Sequence, residues 1–327
     1  MQTTISNPEF QLSDPGIVHS EADADLMAYL QSYGLPYPPL VRYGNVLFNS
    51  RQPKHRVLLF GQAWLPAHPR GTVLLVHGFG EHSGNYPQLI HELVAADYAV
   101  AALDLRGHGL SEGPRGHTDT PDAYVEDFEL FASIVFPRLT ASGPLYLWGH
   151  SMGGQICLQA LRRGRLPKPP AAIALTSPFL DFRRLTGYRA LLLKLSPIAA
   201  RMFPALPLTT GFVQEDRCSN REYASQREDD PLVHDSVTPL WARCVAAAMA
   251  KLRESATEFR EGAPTLLLLA GDERITDILA ARAFAFSAYQ TLRHKVIEFP
   301  GMRHELEKEP VRGRVVAETL AWFDTHK

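Results

Sequence analysis

Leu145-Tyr146-Leu147-Trp148-Gly149-His150-Ser151-Met152-Gly153-Gly154 is the stretch on which the reading of the chain turns. Four largely apolar residues run into a glycine, and from Met152 the apolar residues recur with helical spacing. A G-x-S-x-G turn between a buried strand and a helix presents a serine hydroxyl at the helix N-terminus. The glycines at 149 and 153 answer a steric need, because so sharp a reversal brings backbone against both positions. The bland alternative is a plain strand-to-helix turn in which Ser151 is an N-cap. The surroundings therefore have to decide between the two.

Working outward, Val73-Leu74-Leu75-Val76 and residues 99–103 precede this strand. Each is followed by a helical pattern, the first carrying Leu89, Ile90, Leu93 and Val94 and the second running from Tyr124 to about Leu139. These strands are apolar without alternation, as expected for a parallel sheet covered on both faces. A further strand, Ala172-Ile173-Ala174-Leu175, ends at Ser177-Pro178. Regular alternation then stops for about 60 residues, longer than ordinary connections. It resumes with a helix near 237–256, a strand at 266–269, a helix from Ile278, the strand Val296-Ile297-Glu298-Phe299 and a terminal helix ending near Phe323. The expectation is one α/β domain formed by residues 41–178 and 237–327, interrupted by a cap at 179–236 and preceded by a polar, partly ordered lead-in at 1–40.

Composition fits a soluble globular chain. Of 327 residues, 45% are hydrophobic and 21% charged, and 33 basic against 35 acidic residues leave a net charge of −2, which gives no footing for nucleic acid. The opening residues 1–10 lack a basic start and an apolar run, and no stretch has the length of a membrane span, so a cytoplasmic location is expected. Cys157, Cys218 and Cys244 are too few and too scattered for a disulfide framework or a metal site and read as free thiols, with Cys157 buried on the helix after Ser151. Neither metal-ligand spacing nor a dinucleotide fingerprint is present, so no metal and no organic cofactor is expected.

A serine hydroxyl is a weak nucleophile and needs a base, and in this elbow arrangement an acid and then a histidine follow in chain order. His304 stands after the last strand, beyond the loop Pro300-Gly301-Met302-Arg303. The acid is expected after the strand at 266–269, where Gly271-Asp272-Glu273-Arg274-Ile275-Thr276-Asp277 offers three carboxylates. Composition does not choose between Asp272 and Glu273, while Asp277 reads as the cap of the next helix. An oxyanion would need backbone donors: Met152 N–H supplies one, and Phe79 N–H, in the glycine-rich turn Val76-His77-Gly78-Phe79-Gly80, is the candidate for the second.

At these residues the chain resembles the monoglyceride lipase and lysophospholipase group of the α/β-hydrolases, also known as serine aminopeptidase-like hydrolases, over roughly residues 45–325. The resemblance is carried by His77-Gly78-Phe79-Gly80-Glu81-His82-Ser83-Gly84 with Tyr86, by Asp104-Leu105-Arg106-Gly107-His108-Gly109-Leu110-Ser111, by the serine elbow and by residues 299–306 around His304. It implies an α/β-hydrolase fold and an acid directly before an Arg-aliphatic pair, which here is Glu273 before Arg274-Ile275. Aspartate is usual in that place, so Asp272 stays open. It further implies a lid at about 179–236, ending near Asp230-Pro231-Leu232, whose apolar stretch from Tyr188 to Leu208, with Arg189, Lys194 and Arg201, would line an acyl tunnel and touch a membrane surface or simply pack on the body. The expected activity is hydrolysis of a carboxylic ester, a monoacylglycerol or lysophospholipid, through an acyl-enzyme. Two other readings remain: the same triad acting on small esters, amides or peptides, and a ligand-binding protein without turnover.

Overall fold

The computed structural model describes residues 11–12, 21–36, 41–50, 56–139, 143–183, 198–289, 291 and 293–327. Its core is a nine-stranded sheet in the order β1-β2-β3-β5-β4-β6-β7-β10-β11. The strands are β1 (Gln11–Leu12), β2 (Arg42–Asn49), β3 (Leu58–Leu65), β4 (Gly71–Val76), β5 (Tyr98–Leu103), β6 (Leu145–His150), β7 (Ala172–Thr176), β10 (Thr265–Ala270) and β11 (Lys295–Phe299). From β5 to β11 every pairing is parallel, and β1, β2 and β3 form an antiparallel flank joined to β5.

Helices cover both faces, so β4, β5, β6, β7 and β10 are buried along their whole length. On one face α3 (Ala123–Leu139) and α4 (Met152–Arg163) pack Phe128, Phe131, Val135 and Ile156 against Leu74, Ala101 and Leu147. On the other, α1 (Glu21–Ser32) and α2 (Pro87–Ala95) bury Leu30, Leu89 and Ile90 against Trp64, Val73 and Tyr98. Burying side chains of this size contributes about 1.5–3 kcal/mol each before chain entropy is counted.

Further on stand α5 (Gln214–Arg217), α6 (Arg221–Glu228), a short ribbon of β8 (Leu208–Thr209) with β9 (Ser236–Val237), and then α7 (Pro239–Glu254), α8 (Ile278–Ala288) and α9 (Arg312–Asp324). Between β7 and α7 no strand of the main sheet occurs among the described residues. Tyr188, Arg189 and Lys194 lie outside the described residues. The three cysteines are free and buried.

Within the stretch 1–40, expected as a polar, partly ordered lead-in, residues 21–36 are α1 and the turn after it. Leu30 and Leu35 are fully buried, and Pro36 O accepts a hydrogen bond from the Trp64 indole at 2.9 Å. The antiparallel strands β2 and β3 were also not foreseen. Gly61 and Gln62 interrupt the apolar pattern of β3, and Gly61 is required because a Cβ there would meet the Phe131 ring at 2.3 Å.

Candidate active site

The elbow is built as the glycines suggested. Ser151 sits between β6 and α4 at φ +51°, ψ −116°, a backbone region that costs a non-glycine residue roughly 1–3 kcal/mol. Its N–H is held by Thr176 O on the neighbouring strand at 2.9 Å. A Cβ at Gly153 would lie 2.0 Å from Val76 O, and one at Gly149 would lie 2.9 Å from the Cys157 sulfur. Neither position admits a side chain without moving a strand or a helix.

His304, on the loop after β11, brings Nε2 to 2.9 Å from Ser151 Oγ, and its Nδ1 lies 2.7 Å from Glu273 Oε2. The other oxygen of Glu273 accepts from Ile275 N at 2.7 Å and Thr276 N at 3.1 Å. The turn after β10 therefore fixes that carboxylate in place. Asp272 points elsewhere: it bonds Arg274 at 2.5 Å at the surface. Asp277 caps α8 through Leu279 N and Ala280 N. Of the three carboxylates, only Glu273 meets His304.

Electrostatics follow from this geometry. Burial works against a charged His304, but the charge and hydrogen bond of Glu273 outweigh it and raise the imidazole above its ordinary 6.5. Burial likewise opposes ionisation of Glu273, yet the charge and hydrogen bond of His304 and the two backbone N–H groups hold it below its ordinary 4.5. The two shifts agree in favouring the ion pair, and a buried carboxylate so arranged orients the imidazole and favours its protonated form when it takes a proton.

The glycine-rich turn passes directly over the serine. A Cβ at Gly78 would stand 3.4 Å from Ser151 Cβ and 2.9 Å from the His150 ring. Next to Phe79, Gly78 N points to Glu81 Oε2 and the Tyr86 hydroxyl, each at 3.3 Å, while Gly80 O accepts from His234 N and Arg227 Nη2, each at 3.2 Å. Asp104 holds the far end of the turn, accepting from Ser83 N at 2.8 Å, Ser83 Oγ at 2.5 Å and Leu110 N at 2.9 Å. The turn and the Asp104-Leu105-Arg106-Gly107 segment are thus one structure.

Sequence reasoning missed a buried charge network beside the histidine. Lys308 bridges Glu81 and Glu305, each at 2.9 Å, and Arg227 reaches Glu81 at 3.3 Å and Glu305 at 3.9 Å. Arg217 stands 3.8 Å from Glu305, and burial and the Arg227 charge push its guanidinium down to about 10. Glu305 Oε1 has no hydrogen-bond partner among the described residues. The only clue in the sequence is an acidic and basic run, Glu305 to Glu309, directly after the histidine.

Ser151 and His304 open into a cavity of about 760 Å³. Phe79, Phe179, Phe182, Trp241 and Ile275 make most of its wall apolar, and Arg217 and Glu305 add a polar sector. Among the described residues no group of three or more His, Cys, Asp or Glu side chains is placed to hold a metal ion.

The chain is similar to known proteins. Residues 67–311 match the family model described as serine aminopeptidase, S33. A monoacylglycerol lipase of Mycolicibacterium smegmatis is 30% identical over 271 residues, spanning 80% of this chain and 91% of that protein. A monoglyceride lipase of Saccharomyces cerevisiae is 27% identical, spanning 79% of this chain and 85% of that one. The crystal structure of a Paleococcus ferrophilus monoacylglycerol lipase superposes with a TM-score of 0.72 at 26% identity, covering 82% of this chain and 99% of that one. The chain belongs to the serine aminopeptidase S33 family of α/β-hydrolases, in the group that includes the monoglyceride lipases, and is a serine ester hydrolase.

Proposed function

We propose that the protein hydrolyses long-chain glycerol esters, a monoacylglycerol or a lysophospholipid, with Ser151 as nucleophile, His304 as base and Glu273 as the acid that orients it. The observation that carries this reading is the continuous contact from Ser151 Oγ through His304 to Glu273 at the floor of an apolar cavity. Ser151 Oγ attacks the ester carbonyl carbon while its proton passes to His304 Nε2. The tetrahedral oxyanion is held by the N–H groups of Phe79 and Met152. Collapse expels the glycerol-side alcohol, which takes the proton from His304. Water, activated by the same imidazole, then releases the fatty acid and restores Ser151.

The cavity supports the substrate class. Its apolar wall suits an acyl chain, while Arg217 as donor and Glu305 as acceptor suit the hydroxyl or phosphate oxygens of a glycerol headgroup. Residues 179–236 act in this reading as a cap whose outer surface meets a lipid interface. Ile198, Met202, Phe203, Leu206, Leu208 and Val213 are exposed there, and Ala199, Leu208 and Phe212 line the cavity. No described helix is long and apolar enough to cross a membrane, so such contact would be peripheral.

Three outcomes follow. In steady-state assays the wild type should turn over a long-chain monoacylglycerol or lysophospholipid with higher kcat/KM than a short nitrophenyl ester, and Ser151→Ala should lose on the order of 10³-fold or more; turnover of the short ester alone would remove the lipid substrate. His304 must be neutral to accept a proton, and Glu273 raises its pKa, so the acid limb of kcat/KM should lie above pH 6.5. Glu273→Gln should shift that limb to lower pH and cut the rate on the order of 10³-fold or more, whereas Asp272→Asn should change the rate by no more than about twofold; the reverse pattern would make Asp272 the acid. Finally, the protein should sediment with anionic lipid vesicles, and a Met202→Ser, Phe203→Ser variant should sediment less while still cleaving a dissolved short ester. Wild type that stays in the supernatant contradicts the interfacial cap.

A further inference from the structure

We propose that Tyr33, on the turn after α1 and outside the region matched by the family model, is a positioning residue for the oxyanion turn. The proposal rests on the reading of Phe79 N–H as an oxyanion donor. Its starting observation is a phenol that reaches across 197 sequence positions: Tyr33 O–H donates to Asp230 Oδ1 at 2.8 Å.

Asp230 is the junction of the two segments that hold the turn. Its Oδ2 lies 3.0 Å from His82 Nε2 and accepts from Asn85 Nδ2 at 3.2 Å, which ties it to the end of the glycine-rich loop. Its Oδ1 also accepts from Leu232 N at 2.9 Å, which shapes the segment after it. That segment continues to His234, whose N–H bonds Gly80 O, and before Asp230 stands Arg227, which bonds the same oxygen and Glu81. Gly80 directly follows Phe79. The fit is tight: a Cβ at Gly80 would lie 2.1 Å from His234 O. The position of Phe79 N–H is therefore set by the 227–234 segment on one side and by Glu81 and Tyr86 on the other.

Tyr33 closes this clamp from outside. Its ring packs edge-on to His82 at 4.7 Å, and Tyr29, one helical turn earlier, packs on Tyr33 at 4.9 Å and fills the space a side chain at Gly84 would need, with its hydroxyl 2.8 Å from that point. The support beneath is rigid, because Leu30 and Leu35 are in the core and Pro36 and Gly34 carbonyls accept from Trp64 and pair with His91. Burial opposes charge on Asp230, but the hydrogen bond and charge of His82, together with the bonds from Tyr33 and Leu232 N, hold its carboxyl well below the usual range. Without the phenol, Asp230 keeps His82, Asn85 and Leu232 N and loses the one donor to its Oδ1 that comes from α1's side of the clamp. The turn then gains freedom, and a donor displaced by a fraction of an ångström loses much of its effect on a developing charge.

The test compares wild type, Tyr33→Phe, Asp230→Asn and the double variant. It measures kcat, KM, thermal midpoint and the inhibition constant of a long-chain trifluoromethyl ketone, whose adduct with Ser151 bears the oxyanion. Tyr33→Phe should lower kcat roughly tenfold with KM within about twofold, and the ketone should weaken in the same proportion as kcat. In the Asp230→Asn background the Tyr33→Phe change should add nothing further. Unchanged kcat and ketone affinity with a lowered thermal midpoint would overturn the proposal and leave α1 as a packing element. Equal, additive losses in the two backgrounds would overturn it also. A wild type that reacts with neither ester nor ketone would sink the reading of the site itself, whereas a reactive wild type with an indifferent Tyr33→Phe sinks this inference alone.

Discussion

Everything at the candidate active site depends on one strained residue being held where the chain would not otherwise put it. Ser151 stands at φ +51° because β6 and α4 meet at an angle that leaves no room for side chains at Gly149 and Gly153. The strain is offset by a hydrogen bond to β7 and by a fully buried sheet on each side. A serine in relaxed geometry would cap α4 with its hydroxyl. Here no such bond forms, and Oγ turns to His304 instead. The parallel sheet then decides what else can reach that point, since the loops after β4, β7, β10 and β11 all leave the same edge.

Around this point the protein has placed charges that a core ordinarily excludes. Glu81, Glu305, Lys308, Arg217 and Arg227 are buried together, and ion pairs so placed contribute little net stability because desolvation offsets attraction. Their effect is geometric. They join the glycine-rich turn, the segment 217–230 and the histidine loop, three pieces of chain distant in sequence, into one wall of the cavity. Glu273 belongs to the same logic on a smaller scale: bonded to two backbone N–H groups, it has one oxygen committed to its own turn and one free to hold His304.

The central strands and the helices after them were legible because burial on both faces demands unbroken apolar runs, as in β4, β6 and β10. Ser151 and His304 were legible because their neighbours have steric or positional work to do. What stayed hidden was structure whose signal is not local. The core contacts of α1 and the turn after it come from a few residues, Leu30 and Leu35 among them, in a stretch that otherwise reads as polar. In β2 and β3, glycine, asparagine and glutamine break the apolar pattern: Gly61 leaves room for the Phe131 ring of α3, and Gln62 hydrogen-bonds Tyr43 and Ser83. Composition did not separate the adjacent Asp272 and Glu273; the resemblance pointed to Glu273, and the path of the turn makes Asp272 a surface partner of Arg274 and Glu273 the partner of His304. The charge network left only the run from Glu305 to Glu309 as a trace, because Glu81, Arg217 and Arg227 reach it through folding.

The measurement that bears most directly on the central claim is site mapping of covalent modification by a fluorophosphonate, carried out on native protein, on His304→Ala and on protein unfolded in denaturant. A nucleophile activated by His304 predicts one adduct, on Ser151, formed rapidly by the native protein and slowed by orders of magnitude in the other two. Modification that is as fast without His304, or that falls on another residue, would contradict the account.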